Sequence, residues 1–406
     1  MMSEGRPFDI YISMREDMTE REFCSSMAQT KIERIIHSLT LHASTRHIDA
    51  LKLVATAELY DSDQRLVESG AGKGQNSLVG ALAESLEHFS TFKPSSKDLS
   101  MQRCDFITHQ GAAQFDGFIK MLPSKGASIE ALELSTLDKQ KFLFVPRLLL
   151  CPKMESNLKQ GENEKFLARY SSNSGIAFGC TKAEALLHGT HEVIERHILS
   201  LFFMAVCGIG PSIKLYAPSK ALLSNALHDN QGALAKAEKL QIVIIKDYFN
   251  VYFSIAFPTS GAGDLHLSAV GSGSSLSVLT AVQRAVTEQF QADALYDDSQ
   301  DECDRKTHDF LASSSVLRPL IDFEPLKNIK LPAYNHTATN FAASVPLQLK
   351  TLENNLIAAG THLYHRTVIQ YGEDGIVCQS YVPGLERFNL IRNGSRVAPQ
   401  RILLQA

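Results

Sequence analysis

Three stretches of the chain repeat apolar residues at helical spacing and carry acidic residues on the other side. In residues 76–91, Leu78, Leu82, Leu86 and Phe89 fall within one stripe at about 100° per residue. Glu84 and Glu87 project together on the opposite side as i,i+3 neighbours. Residues 181–203 repeat the arrangement, with Leu186, Thr190, Val193, Ile194, His197 and Leu201 in one stripe. Glu184, Glu195 and, slightly to the side, Glu192 point away from it, with Arg196 next to Glu192. In residues 277–296 the apolar face is Val278, Val282, Ala285, Val286 and Phe290, and Arg284, Glu288 and Gln291 line up opposite.

Other stretches read as strands. Residues 144–150 predict a buried strand, 242–257 and 265–270 two β-rich runs, and 361–370 and 375–383 a closing pair that ends in the turn Pro383-Gly384. Leu347, Leu349, Leu352 and Leu356 recur at roughly helical spacing, and Gly360 is placed to stop that helix. Ser95 to Asp98 is a polar break, and the acidic run from Tyr296 to Arg305 is expected to be a solvated loop or mobile segment. Helices and strands alternate along the whole length without an internal repeat. The expected fold class is therefore α/β (α+β), one large unit of mixed sheets and packed helices. Its expected division is an N-terminal part (1–70), a catalytic core (71–390) and a tail (391–406).

Composition narrows the function classes. The chain has 406 residues, 44% of them apolar and 21% charged, which suits a globular protein and not a disordered one. Its net charge of −4 leaves no basic footprint for nucleic acid. No apolar h-region opens the sequence, so a secretory signal is not expected. The longest uncharged apolar stretch, Ile198 to Ile213, is shorter than the ~18 residues a membrane span needs and continues an amphipathic helix. The cysteines at 24, 104, 151, 180, 207, 303 and 378 are odd in number and scattered, a pattern of reduced thiols in a cytoplasmic protein.

The acidic faces carry the chemistry. If they converge, several carboxylates share one site, and two like charges ~4 Å apart repel by about 4 kcal/mol at an effective dielectric of ~20. Such a cluster needs cations, and oxygen-only ligands favour Mg²⁺, which usually bridges to a nucleotide's phosphates. Thr181 and Glu184 also form the T-x-x-E pattern of a capping box, so Glu184 has a structural role open to it. Other motifs fail on inspection. Gly72-Lys73-Gly74 lacks the Ser or Thr and the upstream Gly of a Walker A loop. Gly271-Ser272-Gly273 lacks the third glycine of a dinucleotide fingerprint, and His191-Glu192-Val193-Ile194-Glu195 misses the final His of a zinc-protease motif. His188, His191 and His197 read as packing or surface residues, and Cys180 as a small buried thiol.

Read together, these segments resemble the YcaO family. The run SSNSGIAFGCTKAEALLHGTHEVIERHILS (171–200) is similar to its central signature, with Glu184, Glu192, Glu195 and Arg196 at the family spacing. GKGQNSLVGALAESLEHFS (72–90) resembles its glycine turn and E-x-x-E, GSGSSLSVLTAVQRAVTEQFQ (271–291) its R-x-x-x-E-x-x-Q helix, and VPGLE (382–386) a recurrent late segment. Three motifs in order are a specific signal; E-x-x-E alone is not. The resemblance implies a large α/β domain that binds ATP and Mg²⁺. Glu84, Glu87, Glu192, Glu195 and Glu288 would hold the metal, and Glu184, Arg196, Arg284, Gln291 and Ser174 would contact the nucleotide. Glu195, Arg196 and Glu288 would be the catalytic residues.

In the family, ATP phosphorylates a peptide amide oxygen. The expected reaction is azoline-forming cyclodehydration of Cys, Ser or Thr in a ribosomally made precursor peptide. Thioamide or amidine formation is the alternative, and a non-catalytic nucleotide-binding subunit a second. The expected partners are the precursor peptide, a leader-peptide-binding protein or a sulfur-delivery helper, and a second copy of the chain as a homodimer. Departures from the pattern are His88 for an Arg, Ser174 for an Asn in the S-N-G turn, Cys180 for an Asn, and the ending RVAPQRILLQA in place of a P-x-P-x-P tail. The first three bear on the adenine and ribose contacts, the last on cyclodehydration.

Overall fold

A computed structural model describes residues 20–91, 99–123, 126–152, 162–327, 329–335 and 343–405. The polar break Ser95 to Asp98 lies outside the described residues. All three amphipathic stretches form helices, at Ser77–Thr91, Lys182–Val206 and Val278–Ala294. Each follows a strand directly: Leu66–Lys73, Ile176–Gly179 and Gly271–Ser275 respectively.

Those strands belong to three separate antiparallel sheets. His42–His47, Val54–Tyr60 and Leu66–Lys73 form the first. Leu240–Tyr248, Val251–Pro258 and Gly271–Ser275 form another, with the first and third paired on either side of Val251–Pro258. The largest sheet runs in the order Leu99–Arg103, Ser128–Ser135, Tyr364–Tyr371, Gly375–Tyr381, Ile176–Gly179, with Phe142–Pro146 also paired to Ser128–Ser135. The three sheets and their helices pack into one mixed α/β unit.

Small residues set how the helices lie on their strands. A side chain at Gly72 would overlap the backbone of Ser77 and Ala81, and one at Gly271 the backbone of Ala285 and Gln289. Only glycine permits so close an approach of helix to strand. The buried side of the first helix is accordingly Ala81, Leu82, Ser85 and Leu86, with Leu78 and Phe89 only half buried. The apolar stripe read from the sequence is thus rotated toward the small residues. The middle helix is buried on nearly every side, from Ala185 to Met204, and forms the spine of the main core.

Other expectations are corrected locally. The strand predicted over 144–150 occupies Phe142–Pro146, and its second half turns into the short helix Arg147–Leu150. Residues 265–270 form bends and irregular backbone and not a strand. The acidic run is not a loop, because Asp297 caps a helix over Asp298–Ala312 and Gln300–Asp304 and Lys306–Glu302 pairs link successive turns. The Leu-rich helix spans Val345–Ala358, and Gly360 (φ +83°) follows its end.

The late VPGLE segment docks on a buried polar pair. Tyr381 donates its hydroxyl to Asp116, whose other oxygen accepts the N–H groups of Phe118 and Ile119. Tyr381→Phe should destabilise the protein by about 1–3 kcal/mol, because the buried carboxylate oxygen keeps only a long contact from the Gly384 N–H (3.4 Å). Chemical denaturation of the two proteins checks this.

Candidate active site

The three glutamate helices face one cleft of about 980 Å³. Glu84, Glu87, Glu192, Glu195 and Glu288 all line it, as do Glu184, Arg196, Arg284 and Gln291. Ser174 does not. It lines a small second cavity on the other side of Arg196 with Tyr381, Glu386 and Arg387, and its hydroxyl pairs with Ser172 (2.7 Å).

Backbone and hydroxyl donors aim the carboxylates. The Ala71 N–H donates to Glu84 (2.9 Å), the Phe178 N–H to Glu87 (3.0 Å), the Gly175 N–H to Glu192 (3.1 Å) and the Ser272 hydroxyl to Glu195 (2.6 Å). In these bonds one oxygen is tied to a strand or the turn before it, which orients the carboxylate. Glu192 and Glu84 keep 32% and 38% of their side-chain exposure, so both face the cleft and not the interior.

The electrostatics are unfavourable to four charges. Burial first, then the charges of Glu192 and Glu84, pushes the Glu87 carboxyl well above the usual carboxylate range. Burial also raises Glu84, Glu192 and Glu195, with the Glu288 charge adding to each. Glu288 behaves oppositely: burial opposes its ionisation, but the Lys73 and Arg196 charges outweigh burial and hold it low. Among the described residues no three His, Cys, Asp or Glu groups stand close enough to bind a metal by themselves. A Mg²⁺ carried on phosphates needs only one or two protein carboxylates. The donor set fits such a cation: oxygens only, anchored, and under mutual repulsion that positive charge would relieve.

Several groups here escaped the sequence reading. Lys73 meets Glu288 directly, although its Gly-Lys-Gly run was discarded for failing the Walker pattern. Glu20 is buried and accepts from Arg284 (2.6 Å) and from Ser275. Burial works against its charge, but Arg284 and His191 prevail and hold its pKa below the usual carboxylate range. Arg21 donates to one Glu184 oxygen (2.9 Å) while the Cys180 N–H donates to the other (3.2 Å). Glu184 is therefore largely committed inside the protein, and Thr181 caps the same helix by accepting the Glu184 N–H (3.2 Å). No local pattern signals Glu20, whose partner is 264 residues away.

The neighbouring thiol and imidazoles are quiet at neutral pH. Burial and then the Glu184 charge push the Cys180 thiol up to about 11. Burial lowers His191 and His197 to about 4, and the neutral His197 accepts the Glu386 N–H (2.9 Å). The seven cysteines are all unpaired.

Comparison with known proteins fixes the lineage. The model of the YcaO cyclodehydratase family, described as ATP- and Mg²⁺-binding, matches residues 69–386. The chain belongs to the YcaO family. ATP and Mg²⁺ are the cofactors by which that YcaO family is described, and the match runs across all three glutamate helices. Solved YcaO-type structures share the fold. A heterocyclase in complex with substrate and cofactor aligns at TM-score 0.60 and 16% identity over 95% of this chain. The chain spans only 54% of that heterocyclase. YcaO from Methanopyrus kandleri, bound with AMPPCP and Mg²⁺, aligns at TM-score 0.57 and 15% identity, covering 91% of this chain and 93% of its own. The E. coli microcin synthetase McbBCD complex with pro-MccB17 bound aligns at TM-score 0.51 and 12% identity over 84% and 86% of the two chains. No curated protein matches the sequence. Among the described residues no helix is long and apolar enough to cross a membrane.

Proposed function

We propose that this YcaO protein activates peptide backbone amides with ATP, and that its reaction is azoline-forming cyclodehydration of Cys, Ser or Thr in a precursor peptide. The observation that carries the reading is the convergence of five glutamates from three helices on one cleft, with Arg196 and Arg284 beside them. Bound there, Mg-ATP would supply the phosphoryl group and the metal charge that neutralises it during transfer, a chemistry of positioning and electrostatics. Glu84, Glu87, Glu192, Glu195 and Glu288 hold the metal in this reading. Arg196, within 3.8 Å of Glu192, and Arg284, fixed by Glu20 and the Ser274 carbonyl, face the anion. Gln291 lines the same wall. Ser272 keeps Glu195 aimed while it carries charge.

A peptide substrate presented by a partner protein fits the neighbours, one of which holds pro-MccB17 within a multi-subunit synthetase. Unpaired cysteines throughout suit a reducing cytoplasm. Incubation with ATP, Mg²⁺ and candidate precursor peptides, followed by mass spectrometry, tests the reading. Loss of one water per ring with matching ADP release is the expected result. Exchange of oxygen for sulfur in the presence of a sulfur source would replace cyclodehydration by thioamide formation. ATP binding without turnover in the presence of a peptide that a related synthetase modifies would reduce the protein to a nucleotide-binding subunit.

A further inference from the structure

Lys73 is a cation whose charge reaches carboxylates on all three glutamate helices. It ends the strand Leu66–Lys73, and its ammonium meets the Glu288 carboxylate on the third helix. Its charge also favours ionisation of Glu84 on the first helix and of Glu195 on the second. The backbone beneath it is held firmly, because Gly72 packs on the Ser77–Thr91 helix and the Gly74 N–H donates to the Leu53 carbonyl (2.8 Å). The side chain is freer: it keeps 32% of its exposure, on a flexible four-carbon stem with a compact point charge.

An ammonium and a divalent cation seek the same carboxylate oxygens and repel each other. A triphosphate offers Lys73 a second anionic partner within the same cleft. We propose that Lys73 competes with the divalent cation for the glutamate cluster and is drawn off by the nucleotide's phosphates, so that the cation binds well only together with the triphosphate. The inference rests on the Mg-nucleotide reading of the cleft and adds to it a reason why metal alone should bind poorly. Lys73 is in this account a positioning residue whose partner changes from Glu288 to phosphate.

Binding of Mn²⁺ to the full chain, followed by the paramagnetic resonance of the free ion with and without AMPPCP, tests the coupling. AMPPCP should tighten Mn²⁺ binding to the wild type by about tenfold or more, within the usual range for such couplings. In Lys73→Met, Mn²⁺ alone should bind about tenfold tighter and the effect of AMPPCP should shrink accordingly. Lys73→Arg, which keeps the charge, should keep the coupling. Lys73→Gln, read in the same way, guards against a Lys73→Met protein that fails to fold. The inference is overturned by neutral variants that bind Mn²⁺ alone no more tightly than the wild type, or that retain the full coupling. If the wild type itself binds neither Mn²⁺ nor AMPPCP, the reading of the cleft fails and the inference with it.

Discussion

Glu195→Gln should lower peptide-stimulated ATP turnover by roughly 100- to 1,000-fold, the range found when one electrostatic group aimed at a developing charge is removed. The substitution is close to isosteric, and the amide carbonyl can still accept the Ser272 hydroxyl that now orients Glu195. What it removes is the charge. Burial, then repulsion from Glu288, already raises the Glu195 carboxyl, so the neutral amide also relieves strain in the folded protein. The variant should therefore melt no lower than the wild type, and lost turnover cannot be ascribed to unfolding. Steady-state phosphate release and a thermal melt on the same preparations check both halves. Equal turnover in the two proteins would remove Glu195, and the metal assignment built around it, from the mechanism.

The glutamates were legible because helix periodicity is a local property. Glu84 with Glu87, and Glu192 with Glu195, announce themselves as i,i+3 pairs in any sequence window. The helices carrying them were legible for the same reason. Their rotation was not: the buried face of Ser77–Thr91 centres on Ala81 and Ser85, which pack on a glycine-rich strand. Hydrophobicity alone points to the larger Leu78 and Phe89. The charge density of the Asp298–Ala312 segment suggests a solvated loop, whereas Asp297 caps the helix and a Lys306–Glu302 pair ties one turn to the next.

The rest of the cleft depends on distant contacts. Glu20 reaches Arg284, Arg21 reaches Glu184, and Lys73 reaches Glu288 across 264, 163 and 215 residues. One-dimensional motif rules have no access to such separations, and a phosphate-loop rule in fact led away from Lys73. Glu184 illustrates the reverse case. Its sequence position suited both a capping box and a nucleotide contact, and the Arg21 and Cys180 bonds now weight it toward the structural role. Ser174 stands where the family turn would carry an Asn, and the turn that carries it faces the smaller cavity beyond Arg196.

Glu87→Gln should separate stability from function most clearly. The folded carboxyl is raised well above its ordinary value of 4.5, by burial and then by the Glu192 and Glu84 charges. Below that ordinary value, folded and unfolded chains are both protonated at this site, and it contributes no pH dependence. As pH rises, the unfolded chain ionises first, so the wild type loses stability until the folded carboxyl also ionises. Glutamine suffers no such loss, and its carbonyl can still accept the Phe178 N–H. In metal-free buffer the variant should thus be more stable than the wild type near pH 7 by roughly 0.5–2 kcal/mol, the gain common when local strain is removed. Near pH 4 the difference should vanish. Adding Mg²⁺ and AMPPCP should reverse the order, because ligand binding stabilises only the protein that still holds the metal. ATP turnover of the variant should fall roughly 100-fold. Denaturant unfolding at the two pH values, with and without Mg-AMPPCP, decides the matter. A wild type that outlasts the variant in metal-free buffer at pH 7 would mean that the Glu87 charge is already compensated within the protein, and that no cation is required there.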